Sequence, residues 1–120
     1  MANPTTMYRK LITVLPNLRA VQSHSKLTAD GYMDLHLDIL SRANDTARIA
    51  IAQNYIHNGD IIPDPDMELV VDFKNRTVNA KTYQNLYVYS VVVEDDKKLQ
   101  RELNEFLEMR LDNLIEQRHT

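Results

Sequence analysis

Tyr32-Met33-Asp34-Leu35-His36-Leu37-Asp38-Ile39-Leu40 alternates, with Met33, Leu35, Leu37 and Ile39 on one side and Asp34, His36 and Asp38 on the other. A period of two is the mark of a strand with one face in a core and the other in water. Ser41 to Asp45 carries turn chemistry, so Thr46 to Ile56 reads as the returning strand. A tight hairpin sets Leu37 against Ile49 and Leu35 against Ile51 on the core face. On the outer face it sets Asp38 against Arg48, an ion pair worth about 0.2–1 kcal/mol.

Beyond this hairpin lies Asn58-Gly59-Asp60-Ile61-Ile62-Pro63-Asp64-Pro65-Asp66-Met67. Asn58-Gly59 marks a turn, and Pro63 and Pro65 hold the residues before them extended. The segment reads as a stiff acidic loop. Met67 to Phe73 then forms a third strand with Met67, Leu69, Val71 and Phe73 inward. A two-residue loop at Asn75-Arg76 pairs Phe73 with Val78, Val71 with Ala80 and Leu69 with Thr82. Gln84-Asn85 bends or bulges the chain, and Leu86 to Val93 is strand again, rich in β-branched and aromatic residues.

Helices flank the strands. Asn3 caps and Pro4 opens a first helix with Met7, Leu11, Val14, Leu15 and Leu18 at helical spacing, ended near Leu15 by Pro16. Residues 17–22 are looser, and polar Ser23 to Asp30, closed by Gly31, reads as a linker. Asp95 starts the last helix, with Glu94 and Asp96 favourable at its positive end and Arg118 and His119 at its negative end. Leu99, Leu103, Phe106, Leu107, Leu111 and Leu114 make its apolar face, and Glu102, Glu105 and Glu108 its exposed side.

The expected fold is one α+β domain over residues 1–120, built as two layers. A helical segment at 1–22 and a helix at 95–118 pack on one face of an antiparallel sheet of four or five strands over 32–93. The other face carries Asp34, His36, Asp38, Arg48, Asn54, Lys81 and Tyr83. A chain of 120 residues buries about two-thirds of its unfolded surface, enough for a core without staples. It contains no cysteine, so disulfides and thiolate metal sites are excluded. With no basic-then-apolar start at Met1 to Tyr8 and no apolar run near the roughly 20 residues that span a bilayer, the expected setting is cytoplasmic, without a membrane partner.

The net charge of −3 is unevenly placed. Residues 1–29 carry Arg9, Lys10, Arg19 and Lys26 and no acid, while 60–73 carry Asp60, Asp64, Asp66, Glu68 and Asp72 and no base. Dispersed cations make a thin footprint for nucleic acid, so no nucleic-acid partner is expected.

Asp34, His36 and Asp38 are the first candidate for chemistry. Alternate strand residues lie about 6.5–7 Å apart, too far to converge on one ion without help from another strand. Their simpler reading is a solvated face, with small Ala50 and Ala52 opposite leaving a shallow groove. Asp60, Asp64 and Asp66 offer oxygen ligands but lack the central glycine and terminal glutamate of the helix–loop–helix calcium motif. His57 is a polar strand end, and Tyr83, Tyr87 and Tyr89 read as core and rim. No serine–histidine–acid set and no phosphate-cradling glycine loop is present.

The order of Gly31-Tyr32-Met33-Asp34-Leu35-His36, Asn58-Gly59-Asp60 … Asp64-Pro65-Asp66-Met67, Thr82-Tyr83-Gln84 and Glu102-Leu103-Asn104-Glu105-Phe106-Leu107 … Leu111-Asp112-Asn113-Leu114 resembles a family of small uncharacterised bacterial domains. Its members occur on phages, plasmids and conjugative elements, and the likeness spans roughly residues 31–117. Strand order and the final helix are also faintly similar to the YqiB-like family of unknown function. The resemblance lends no catalytic residue and implies a mobile-element origin. It also implies histidine where Gln53 stands, tryptophan where Arg110 stands and glycine where Arg118 stands.

The functional expectation is a non-enzymatic accessory module that binds a protein partner through Asp60, Asp64, Asp66, Asp34, His36 and Asp38. No catalytic residue, cofactor or metal is assigned to it. From the resemblance, the module belongs to a phage or mobile element and inhibits a host defence complex. The alternatives are a small ligand- or metal-dependent enzyme using the Asp34/His36/Asp38 face, and a self-assembling structural protein, a homodimer included.

Overall fold

Asn3 accepts hydrogen bonds from the Thr5 and Thr6 amides and so opens helix α1 (Pro4–Val14). The cap satisfies donors that the first turn leaves without partners, and Pro4 has no donor to satisfy there. The helix stops two residues before Pro16, and a single 3₁₀ turn, Leu18–Ala20, follows. The computed structural model describes residues 3–57, 60–84, 89–92 and 96–119, with the side chains of 54–57 and 60–65 outside that description. Six strands come next: β1 (His24–Ala29), β2 (Tyr32–Ala43), β3 (Thr46–His57), β4 (Asp60–Asp72), β5 (Thr77–Gln84) and β6 (Tyr89–Val91). Helix α2 (Lys97–Gln117) ends the fold. The strands pair in chain order, each antiparallel to the next.

One face of this sheet is apolar along its central strands. Leu35 and Leu37, Ile49 and Ile51, Met67, Leu69 and Val71, and Val78 and Ala80 are all buried. Met7, Leu11 and Val14 of α1 and Leu103, Leu107, Leu111 and Leu114 of α2 cover them in the second layer. Each large aliphatic side chain sealed here stabilises the fold by about 1.5–3 kcal/mol. The helices also touch each other, with Lys10 Nζ 2.7 Å from Asp112 and 3.9 Å from Glu108. Such half-exposed pairs add at most about 1 kcal/mol, so apolar burial sets the layer.

Several sequence expectations change. The sheet has six strands rather than four or five, because residues 24–29 are not a linker. Asp30-Gly31 lies between paired Ala29 and Tyr32, with Gly31 at φ 81, a backbone conformation glycine adopts without strain. The β2–β3 register differs by two residues: Leu37 faces Ile51 and Leu35 faces Gln53. Strand β2 runs on to Ala43, a register shift falls between Ile39 and Ser41, and only Asn44-Asp45 turns, with Asn44 at φ 50. The expected Asp38–Arg48 pair therefore does not form; Arg48 Nε donates to Glu68 at 2.8 Å.

The acidic stretch from Asp60 is not a presented loop but the first part of β4, with Asp60 opposite His57 and Pro63 opposite Asn54. Between Ala52 and Asn54 on β3 the register shifts, and β4 carries the extra residue there. A bulge of this kind leaves backbone groups out of the ladder, which is where prolines are tolerated in a strand. Asn58-Gly59 itself lies outside the described residues.

The β4–β5 connection is four residues, Phe73–Arg76, so Val71 faces Val78 and Leu69 faces Ala80. Asp72 accepts from the Lys74 and Asn75 amides, both at 3.0 Å, and from the Asn75 side chain at 2.8 Å, which shapes this turn. A further bulge, opposite Glu68 and Leu69, shifts the alternation of β5. Tyr83 is thereby turned to the helix side, where its ring meets Phe106 edge-on at 4.7 Å. The bend expected at Asn85, Tyr87 and the start of the last helix at Glu94 and Asp95 lie outside the described residues. Asp96 caps α2, accepting from the Leu99 amide at 3.0 Å.

Arg118 ends α2 in the left-handed conformation, at φ 60. A residue with a Cβ is held there at a cost of roughly 1–2 kcal/mol, which glycine avoids. Arg118→Gly is expected to raise the unfolding free energy by about 1 kcal/mol in urea denaturation. The hydrogen bonds from Asn75 hold the Asp72 carboxyl below its ordinary range. A carboxylate lowered in the folded state contributes stability above its ordinary titration range, and that contribution is lost as pH falls through the lowered value. Asp72→Ala should therefore lower the melting temperature at pH 7, and the gap from the parent protein should close in strong acid.

Candidate functional site

The alternation of β2 turns Asp34, His36 and Asp38 away from the helices, as the sequence predicts. Registers with the flanking strands arrange their neighbours in two parallel rows. Lys26, His36, Ala52 and Asp66 lie side by side across β1 to β4. His24, Asp38, Ala50 and Glu68 form the next row. Neighbouring strands are about 4.8 Å apart, so the β2 and β4 backbones stand roughly 10 Å from each other across β3. The two alanines make a shallow floor between side chains of β2 and side chains of β4.

Charges on this trough are partly paired. His24 Nδ1 is 2.7 Å from Asp38 Oδ1, and its ring lies 5.7 Å from that of His36, tilted by 33°. Lys26 Nζ is 3.9 Å from Asp34, a loose contact between half-exposed groups. Asp66 stands apart electrostatically. Burial first, then the Glu68 and Asp38 carboxylates, hold its carboxyl above the ordinary range against the opposing pull of Arg110. Ionised Asp66 is therefore a net cost to the fold at neutral pH.

Of the candidate residues, Asp34, His36, Asp38 and Asp66 share this face. Asp60 and Asp64 have backbones in β4, but their side chains lie outside the described residues, as do those of Asn54 and His57. Among the described residues, no three histidine, aspartate or glutamate side chains are grouped to hold a metal ion. Sequence reasoning missed His24, Lys26 and Glu68. The first two sit in the stretch read as a linker, although Ser25, Leu27 and Ala29 already alternate there and Asp30-Gly31 is a strong hairpin signal.

The helix side carries a second polar group of residues. Gln53, Arg110 and His119 are each more than nine-tenths buried. Gln53 Nε2 donates to the Met33 carbonyl and to Gln117, both at 3.1 Å, and Arg110 Nη2 reaches Gln53 Oε1 at 3.5 Å. His119 Nε2 is 2.8 Å from the same Met33 carbonyl. His119 is thus more than a charge at a helix end: it docks the end of α2 onto β2. Gln53 and Arg110, the positions of expected histidine and tryptophan, touch each other here.

An antiparallel six-stranded meander roofed by its two terminal helices defines this as a small α+β domain with an open polar sheet face. The chain belongs to the family described as Domain of unknown function (DUF6908), which matches residues 6–120. No curated protein and no solved structure matches it. No helix among the described residues is long and apolar enough to cross a membrane.

The raised Asp66 carboxyl gives a signed test. Its folded state holds the proton more tightly than the unfolded chain, so stability falls as pH rises through the raised value. Asp66→Asn removes that loss and should melt higher than the parent protein at pH 7. The advantage should vanish in acid, where both side chains are neutral. Thermal unfolding at a series of pH values measures it.

Proposed function

We propose that this domain is a non-enzymatic binding module whose open sheet face receives a basic segment of a partner protein. The observation that carries the reading is the alanine-floored trough between His36 and Asp38 on one side and Asp66 and Glu68 on the other. Both helices pack on the opposite face, which leaves the trough open. Burial and the neighbouring carboxylates disfavour a charge on Asp66, and a cationic side chain placed beside it would relieve that cost. Residues that sacrifice stability in this way are characteristic of binding sites.

The resemblance to domains of phages, plasmids and conjugative elements supports a finer reading. The module would be a mobile-element accessory protein, and its partner a component of a host defence complex. The test is affinity capture with the parent chain and with Asp34→Asn/Asp38→Asn/Asp66→Asn. The variant should lose a captured partner at least tenfold while melting no lower than the parent. A helix-side control, Glu102→Gln/Glu105→Gln, should capture normally. Equal capture by the parent and the triple variant would remove the proposal.

A further inference from the structure

Two histidines stand where a basic segment would lie along the trough. His36 on β2 lies across Ala52 from Asp66 on β4, and His24 on β1 lies beside Asp38. The two rings are 5.7 Å apart, centre to centre. His24 Nδ1 is 2.7 Å from Asp38 Oδ1, and both of these side chains are about half exposed. Imidazole is the side chain whose charge ordinarily changes between about pH 5 and pH 8. A pair of them in a charged trough makes the sign of that trough depend on pH.

The charged groups facing the pair come from four strands. His24 faces Asp38 and His36 from β2, and β1 is the sheet edge on its other side. His36 faces Lys26 and His24 from β1 and has Asp34 and Asp38 on its own strand. Strand β3 presents uncharged Ala50 and Ala52 beside the pair, and its Arg48 is drawn to Glu68 at 2.8 Å. Strand β4 presents Asp66 beyond the alanines, and from the helix side Arg110 pulls on Asp66. At neutral pH four carboxylates, Asp34, Asp38, Asp66 and Glu68, thus face two fixed cations, Lys26 and Arg48, and the trough is negative. Two charged imidazoles cancel that excess. Charging His24 also turns its contact with Asp38 into an ion pair, which takes Asp38 away from a partner. Asp66, held above the ordinary carboxyl range by burial, gains its proton in the same direction.

We propose that His24 and His36 gate the trough by pH: with both rings neutral it holds a basic segment, and protonation of the pair in mild acid releases it. The inference rests on the sheet-face reading and gives that site its regulation. Coupling between two binding events is reciprocal, so a bound cation must also drive protons off the two rings.

Hexaarginine is a suitable probe, because a guanidinium keeps its charge throughout this range and any pH dependence then comes from the protein. Titration of the full chain at constant ionic strength should show binding about tenfold weaker at about pH 5.5 than at about pH 7.5. In His24→Gln/His36→Gln the same change of pH should weaken binding by less than about threefold, whatever that variant's affinity at neutral pH. In the parent protein, the ring resonances of both histidines should titrate at lower pH with saturating probe than without it. Failure to bind at neutral pH, even at millimolar probe, would remove the sheet-face reading and this inference with it. Binding at neutral pH that is undiminished in mild acid, or a loss that the double variant keeps in full, would leave the face a binding site and overturn the gate alone.

Discussion

Burial of a single sheet face under both ends of the chain is the constraint on which everything else rests. Helix α1 alone is eleven residues long, too short to be stable in water by itself. The β6 strand is three residues, and β1 is an edge. None of these pieces is self-sufficient. They persist because Leu11, Leu107 and Leu111 close over Leu37, Ile49, Ile51 and Leu69, and every residue of that set is at most about 1% exposed. Since the helices spend their apolar faces on one side of the sheet, the other side is left to polar residues.

The bulges are the places where this plan is locally adjusted. Among the described residues, strand β6 pairs with β5 from Thr82 to Gln84, and the Val92 amide donates to the Lys81 carbonyl at 2.8 Å. At Ala80 the amide donates to Asn104 at 2.9 Å and the carbonyl accepts from Gln100 at 2.6 Å. Helix α2 thus completes an edge that a strand leaves unfinished, and does so with side chains whose remaining groups bond Asn79 and each other. Edges covered in this way do not template pairing with other chains. At the opposite end, past the last β2–β3 pair at Leu35 and Gln53, the Met33 carbonyl is taken by Gln53 and His119. Both adjustments bring polar residues into the layer between helix and sheet, and the second of them places an imidazole at the wall of a cavity.

Two concave surfaces follow from opposite sides of the same sheet. On the outer side, small alanines at the centre of β3 let charged side chains of β2 and β4 face each other across a low floor. On the inner side, a proline-ended helix followed by a 3₁₀ turn cannot pack as tightly as a continuous helix would, and a pocket remains between it and β1. The domain therefore carries a polar surface on one side of the sheet and a partly open cavity on the other.

The amino-acid sequence by itself determined the layers. Period two in 32–40 and 67–73 and helical spacing in 99–114 are local signals, and they survive because each side chain's face depends only on the backbone type. The same logic made Asp34, His36 and Asp38 legible as one outward row. Register, strand limits and partners were decided only in the tertiary structure, because one inserted residue anywhere in a strand reverses which side chains follow it inward. The bulges near Leu40, Gln53 and Lys81 are such insertions, and their effects appear only when the paired strand is present. That is why Arg48 finds Glu68 instead of Asp38, why Tyr83 turns toward Phe106, and why His119, distant in sequence from Met33, meets its carbonyl.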